Sequence, residues 1–191
     1  MKRRSVLTLL GSLSLLACSR TPVTFTGIDI TGANYANDFH LRGHDGKDYS
    51  LASFKGKHLL IFFGFTQCPD ICPTALSRAV QIRKLLADKA EQLQVIFITI
   101  DPERDTPELL AQYMKAFDPS FLGLYGDMKE TQEAAAAFKV FYQKVPSGSS
   151  YTMDHTAISY VFDDKGKIRL ALKHEQTADQ CAADLRTLMT A

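Results

Sequence analysis

Cys68 and Cys72 are separated by three residues in Thr66-Gln67-Cys68-Pro69-Asp70-Ile71-Cys72-Pro73, and nowhere else in the chain do two thiols lie so close. A thiolate is the nucleophile of thiol–disulfide exchange and also a soft metal ligand. The pair therefore points to redox exchange, to metal binding or to a plain structural disulfide. A bridge closing so short a loop removes little chain entropy, which makes the structural disulfide the weakest of the three. Redox pairs usually have two intervening residues, whereas here there are three, and Pro69 and Pro73 stiffen the segment. Two thiolates alone leave a soft metal short of ligands, so the metal reading requires one further side chain.

The elements around the pair can be read from the apolar pattern. His58 to Phe65 is a continuous apolar run, as expected of a strand buried on both faces. Leu76, Ala79, Ile82 and Leu86 then recur at helical spacing, so the cysteines fall at a strand-to-helix junction. Pro73 suits the first turn of that helix, where a missing N–H costs no hydrogen bond. The helix N-terminus is expected to stabilise a thiolate on Cys72.

Further along, Leu93 to Ile100 reads as a second apolar strand, and Thr106-Pro107-Glu108 opens a helix with Leu109, Leu110, Tyr113, Met114 and Phe117 on its inner side. Phe121 to Tyr125 reads as a strand. Asp127 and Glu130 form a capping box for a helix carrying Ala134, Ala137, Phe138 and Phe141. Val145 to Asp154 reads as a loop. Ile158, Tyr160 and Phe162 alternate along a strand that turns at Asp164-Lys165-Gly166 into Lys167 to Leu172, and Thr177 with Gln180 caps a last helix. His40 to Leu51 adds two short strands around Asp45-Gly46. The whole is an α/β protein of thioredoxin-like arrangement, a central mixed sheet flanked by helices.

In such a fold the loop before the strand near Thr156 lies beside the cysteine loop, which makes His155 the leading third ligand. A lone histidine is more often a surface or satisfied core residue, and position alone does not choose between the two. His40, His44, His58 and His174 carry no cysteine or acidic cluster and keep the plainer reading. Asp101 falls at the C-terminal end of a strand, where α/β sheets commonly place sites. Arg104 and Asp105 read as local pairing and helix capping, and Asp154 as a partner for the His155 ring or a solvated loop acid. Cys181 shares a helix face with Leu185 and Leu188 and reads as a small buried apolar residue.

Three blocks, Thr66 to Pro73, Asp101-Pro102-Glu103-Arg104-Asp105-Thr106-Pro107, and Asp154-His155, together resemble the Sco/SenC family of copper proteins. The likeness runs from the hairpin near His40 to the last helix. It implies that Cys68, Cys72 and His155 bind copper, as Cu(I) or Cu(II), and that the protein supports assembly of the CuA centre in cytochrome c oxidase subunit II. Two thiolates suit Cu(I), and an imidazole allows the same site to hold Cu(II). Zinc would need a fourth ligand. The resemblance also permits thiol–disulfide oxidoreductase chemistry at Cys68 and Cys72, with another extracytoplasmic copper chaperone or a thiol reductant as a further partner. A peroxidase of the peroxiredoxin type is a weaker reading, since the second proline-flanked cysteine and His155 are superfluous to it.

The N-terminus sets the compartment. Lys2, Arg3 and Arg4 precede an apolar run from Val6 to Ala17, which fits a signal peptide over 1–18. Leu15-Leu16-Ala17-Cys18 resembles a lipobox in which Cys18 becomes a lipid anchor on the extracytoplasmic, periplasmic side of a membrane. Residues 19–32 read as a tether and 33–191 as the folded domain. An exported chain meets oxidising conditions, under which thiols persist only when a metal or a reductant holds them. The 191 residues, 46% of them hydrophobic, are enough for one domain with a sizeable core, and a net charge of +1 with no basic block excludes nucleic acid as a partner.

Overall fold

The computed structural model describes residues 24–190. In chain order they form β1 (Ile28–Asp29), β2 (Leu41–Gly43), β3 (Asp48–Tyr49), β4 (His58–Gly64), α1 (Ile71–Leu86), β5 (Leu93–Thr99), α2 (Pro107–Phe117), β6 (Leu122–Tyr125), α3 (Met128–Ala137), β7 (Tyr142–Ser147), β8 (Ser150–His155), β9 (Ser159–Phe162), β10 (Ile168–Leu172) and α4 (Ala178–Leu188). Among the described residues no helix is long and apolar enough to cross a membrane. The signal peptide expected over 1–18 and the lipid anchor expected at Cys18 fall outside the described residues.

One eight-stranded sheet runs in the order β1-β10-β9-β4-β5-β6-β2-β3. β4, β5 and β6 are parallel, while β9 lies antiparallel on the other side of β4. Every residue of β4 is buried, which is why its sequence is continuously apolar rather than alternating. The two parallel connections carry α1 and α2, which touch each other, and α4 packs along α1. Phe63, with the alternate orientation to Phe62, meets Phe138 at 5.1 Å between ring centres, and Phe138 in turn contacts Phe162 at 5.9 Å. Phe62 lies in the layer that holds the site, 5.9 Å from the His155 ring. The mixed sheet and flanking helices are the thioredoxin-like arrangement expected from the sequence.

Two segments depart from expectation. The stretch expected to be a tether enters the described residues at 24, and within it Ile28–Asp29 pairs antiparallel with Leu170 and Ala171 of β10. Asp184 of α4 anchors that segment by accepting from the backbone N–H groups of Thr26 and Gly27 at 2.8 and 2.7 Å. The second departure is Val145 to Asp154, expected as a loop, which instead forms most of the β7–β8 hairpin. Its six cross-strand pairs run from Tyr142↔His155 to Ser147↔Ser150, and Gly148 takes the positive φ that the tight turn demands. The sequence reading extends α3 as far as Phe141. The helix stops at Ala137, Lys139 adopts a φ of 55°, and the redirected chain leaves Phe141 60% exposed.

Candidate metal centre

The carbonyl end of β4 delivers the cysteine loop, and α1 begins inside it with Asp70 as its N-cap. Cys72 lies in the first turn of α1 and is completely buried, while Cys68 is partly exposed. His155 ends β8, 83 residues further along the chain, and its Nε2 stands 3.7 Å from the Cys72 sulfur. The ligand atoms of Cys68, Cys72 and His155 all lie within 4.8 Å of one another. An ion held at about 2.0–2.3 Å by sulfur and nitrogen in a trigonal set would space those atoms roughly 3.5–4 Å apart. A contraction of about an ångström at most would therefore close the set on a soft ion.

The ring of His155 is fixed from several sides. Phe62 and Phe65 meet it edge-on at 5.9 and 6.0 Å, and Nδ1 lies 3.1 Å from the carbonyl oxygen of Thr156. With Nδ1 protonated and donating to that carbonyl, Nε2 keeps its lone pair turned toward the sulfurs. Of the two readings of Asp154, partner of the His155 ring or solvated acid, the structure matches the second: Asp154 is exposed, and the ring's Nδ1 faces the Thr156 carbonyl instead.

The two thiols are not equivalent. Hydrogen bonding from Cys72 pulls the Cys68 thiol down to about 5, with burial opposing and the Cys72 and Asp70 backbone N–H groups adding to the effect. The Cys72 N–H donates to the Cys68 sulfur at 3.4 Å. Cys72 is pushed far above the ordinary thiol range, first as the donor to Cys68 and then by burial. The helix terminus was expected to favour a thiolate on Cys72. The thiolate is favoured on Cys68 instead, chiefly because the Cys72 thiol donates to it, with the backbone N–H groups of Cys72 and Asp70 at the helix start adding to the effect.

With the ligand triangle and its fold in place, the decisive likeness is the SCO1/SenC family model, which matches residues 29–190. The chain belongs to the SCO1/SenC family. It is 38% identical over 177 residues to a SCO2-like protein of Rickettsia conorii, covering 89% of this chain and 85% of that one. Among solved structures it resembles ScoI of Bradyrhizobium japonicum with copper bound, at 39% identity and a TM-score of 0.73, covering 80% of this chain and 98% of that one. It also resembles BsSco, described as having a disulfide switch and as a member of the Sco family of cytochrome c oxidase assembly proteins. There the identity is 28% and the TM-score 0.65, over 85% of this chain and 98% of that one.

In this SCO1/SenC chain the block from Asp101 to Pro107 does more than pair and cap locally. Asp105 is buried and reaches back to the cysteine loop, accepting from the Thr66 N–H at 3.0 Å and the Thr66 hydroxyl at 2.6 Å. It also accepts from the Thr99 hydroxyl at 2.6 Å. Burial nevertheless raises its carboxyl above the usual range. Asp101 accepts from the Tyr151 hydroxyl at 2.8 Å and is paired with Arg104. Arg104 donates to Gln67 Oε1 at 3.2 Å and to the Tyr151 carbonyl at 2.8 Å, with its guanidinium 3.7 Å above the Tyr151 ring. The block thus ties the cysteine loop to the hairpin that carries His155. Neither carboxylate joins the ligand cluster among the described residues.

The remaining candidates keep their plainer roles. His44 Nδ1 accepts from the Gly123 N–H at 3.0 Å, His40 is exposed beside Asp38, and burial lowers the pKa of His58. Cys181 is fully buried with Leu185 and Leu188, and desolvation raises its thiol. Gly64 escaped notice in the sequence. A Cβ there would lie 2.7 Å from the Cys72 sulfur and 2.8 Å from the Phe97 ring, so the last residue of β4 must be glycine for Cys72 to sit where it does.

Proposed function

We propose that this protein binds one copper ion through Cys68, Cys72 and His155 and carries it to cytochrome c oxidase subunit II during assembly of the CuA centre. The observation that carries the reading is the convergence of two sulfurs and one imidazole nitrogen within 4.8 Å. Two thiolates favour Cu(I), and the nitrogen donor extends the site to Cu(II). Zinc fits less well, since the cluster offers three ligands among the described residues where a structural zinc site takes four. A three-ligand site also suits a carrier, because an incoming acceptor thiolate finds open coordination before the donor ligands let go. The copper-bound Bradyrhizobium relative and the assembly role described for BsSco support the same reading. A lipid anchor at Cys18 would hold the domain on the extracytoplasmic face.

The unequal thiols favour a second role at the same pair, reduction of the acceptor's cysteines before metallation. The Cys68 thiolate would attack an acceptor disulfide, forming a mixed disulfide and expelling one acceptor thiolate. Cys72 would then attack the Cys68 sulfur and release the second acceptor thiol, leaving Cys68 and Cys72 oxidised for a separate thiol reductant to restore.

A strain carrying His155→Ala at equal protein abundance and limiting copper separates the two roles. Copper delivery predicts loss of assembled oxidase, because a metal ligand is gone while both sulfurs remain. Near-normal oxidase in that strain would overturn delivery as the main role and leave thiol exchange.

A further inference from the structure

His155 reaches the cysteines on a ribbon that stands apart from the main sheet, since β7 and β8 pair with each other in a two-stranded sheet of their own. The ladder of the main sheet therefore does not fix the distance from His155 to the cysteine loop, and side chains must do so. Tyr151, Met153 and His155 share one face of β8, because alternate side chains of a strand point the same way. Met153 is buried, and His155 Nε2 meets the Cys72 sulfur at 3.7 Å. Tyr151 is held at three points. Its hydroxyl donates to Asp101 at 2.8 Å, its carbonyl accepts from Arg104 at 2.8 Å, and its ring lies 3.7 Å from the Arg104 guanidinium. The Arg104 and Asp101 side chains are only 15% and 1% exposed, so these contacts are shielded from water. The same guanidinium donates to Gln67, the residue before Cys68, at 3.2 Å. A further ion pair between ribbon and body, Lys144 with Glu103, is about half-exposed on both sides and fixes little.

We propose, on the reading that Cys68, Cys72 and His155 bind copper, that Arg104 and Tyr151 are positioning residues which pin His155 in place and so set how well the site holds Cu(II) relative to Cu(I). Two thiolates satisfy the soft Cu(I) ion, whereas Cu(II) depends more on the imidazole nitrogen. The two sulfurs sit on one short segment that has its own anchor, the hydrogen bonds from Thr66 to Asp105. Loosening the pin therefore lets the nitrogen donor drift while the sulfurs keep their places, and the loss falls on the oxidised ion. Arg104 suits the task because its planar fork makes several directed contacts at once, which a lysine ammonium cannot reproduce.

Arg104→Lys keeps a positive charge beside Asp101 and loses the fork. Tyr151→Leu leaves the Arg104–Asp101 pair whole and removes the hydroxyl and the ring, so it keeps the test open should Arg104→Lys fold poorly. Competition titrations of each variant should show Cu(II) bound about tenfold more weakly, as loss of a group that orients a ligand implies, with Cu(I) affinity little changed. In a His155→Ala background either substitution should add no further loss, because the ligand it positions is gone. Equal losses for the two oxidation states, or the same loss with and without His155, would overturn the proposal and assign both residues to the fold alone. Unchanged Cu(II) affinity in both variants would overturn it as well. Failure of the wild-type protein to bind copper, or full Cu(II) affinity in His155→Ala by itself, would instead overturn the underlying reading and the proposal with it, so the two failures are distinguishable.

Discussion

The Cys72 thiol donates to the Cys68 sulfur, with the Cys72 backbone N–H adding a second contact at 3.4 Å, and this pairing divides the labour between two residues of the same type. Cys68 is the partly exposed thiol, held low, and Cys72 the buried one, pushed high. In the reduced, metal-free protein, alkylation of Cys68 by iodoacetamide should follow an apparent pKa near 5, with Cys72 unreactive at neutral pH. Mass spectrometry of the labelled peptide across pH 4–9 checks this. Equal labelling at both positions would contradict it.

The same asymmetry fixes a pH dependence of stability. Between about 5 and the unfolded thiol's value near 8.5, the unfolded chain still holds the proton that folded Cys68 has released. Stability therefore rises with pH across that window and is lost as pH falls through the folded value. Cys72, raised when folded, contributes below about 8.5 and loses its contribution above. Denaturant melts of the reduced protein should show the rise from pH 5 to 8, and Cys68→Ser should flatten it.

Gly64→Ala tests how closely the fold is fitted around the site. The new methyl would meet Cys72 Sγ at 2.7 Å, Phe97 at 2.8 Å and Phe62 at 3.0 Å. Overpacking of this kind costs about 1–3 kcal/mol. Because the nearest atom is a candidate ligand, metal affinity should fall along with stability, as chemical denaturation and metal titration of the same preparation would show.

The ease of reading differed from one part of the chain to another for physical reasons. β4 and α1 were legible because burial on both faces and helical spacing leave strong local patterns, and Asp127 and Thr177 cap their helices as their sequences announce. The β7–β8 hairpin was not, since Pro146, Gly148 and a run of serines resemble a loop and a two-stranded ribbon needs no apolar face. β1 is only a pair of residues long and owes its place to Asp184 at the far end of the chain. Cys68 and Cys72 declare themselves by spacing. His155 became a candidate through its place in the expected fold and was raised above the other histidines by the family resemblance, because the contact that brings it to Cys72 spans 83 residues. Asp105 and Gly64 act only through the adjacency of β4 and β5, which a linear reading does not supply.

Cys181 supplies the control. It is fully buried on α4 and stands apart from the metal cluster. Cys181→Ala should cost about 1 kcal/mol through lost packing and leave copper stoichiometry and spectrum untouched. A change in the metal spectrum would place this thiol in the site.

Copper titration of the reduced protein, followed by X-ray absorption of the loaded form, bears directly on the ligand set. Binding should saturate at about one ion per monomer, with two sulfurs and one imidazole nitrogen around it. Cys68→Ser with Cys72→Ser should abolish it. Full-strength binding by that double variant, or a first shell without sulfur, would contradict the assignment of Cys68, Cys72 and His155 as the copper site.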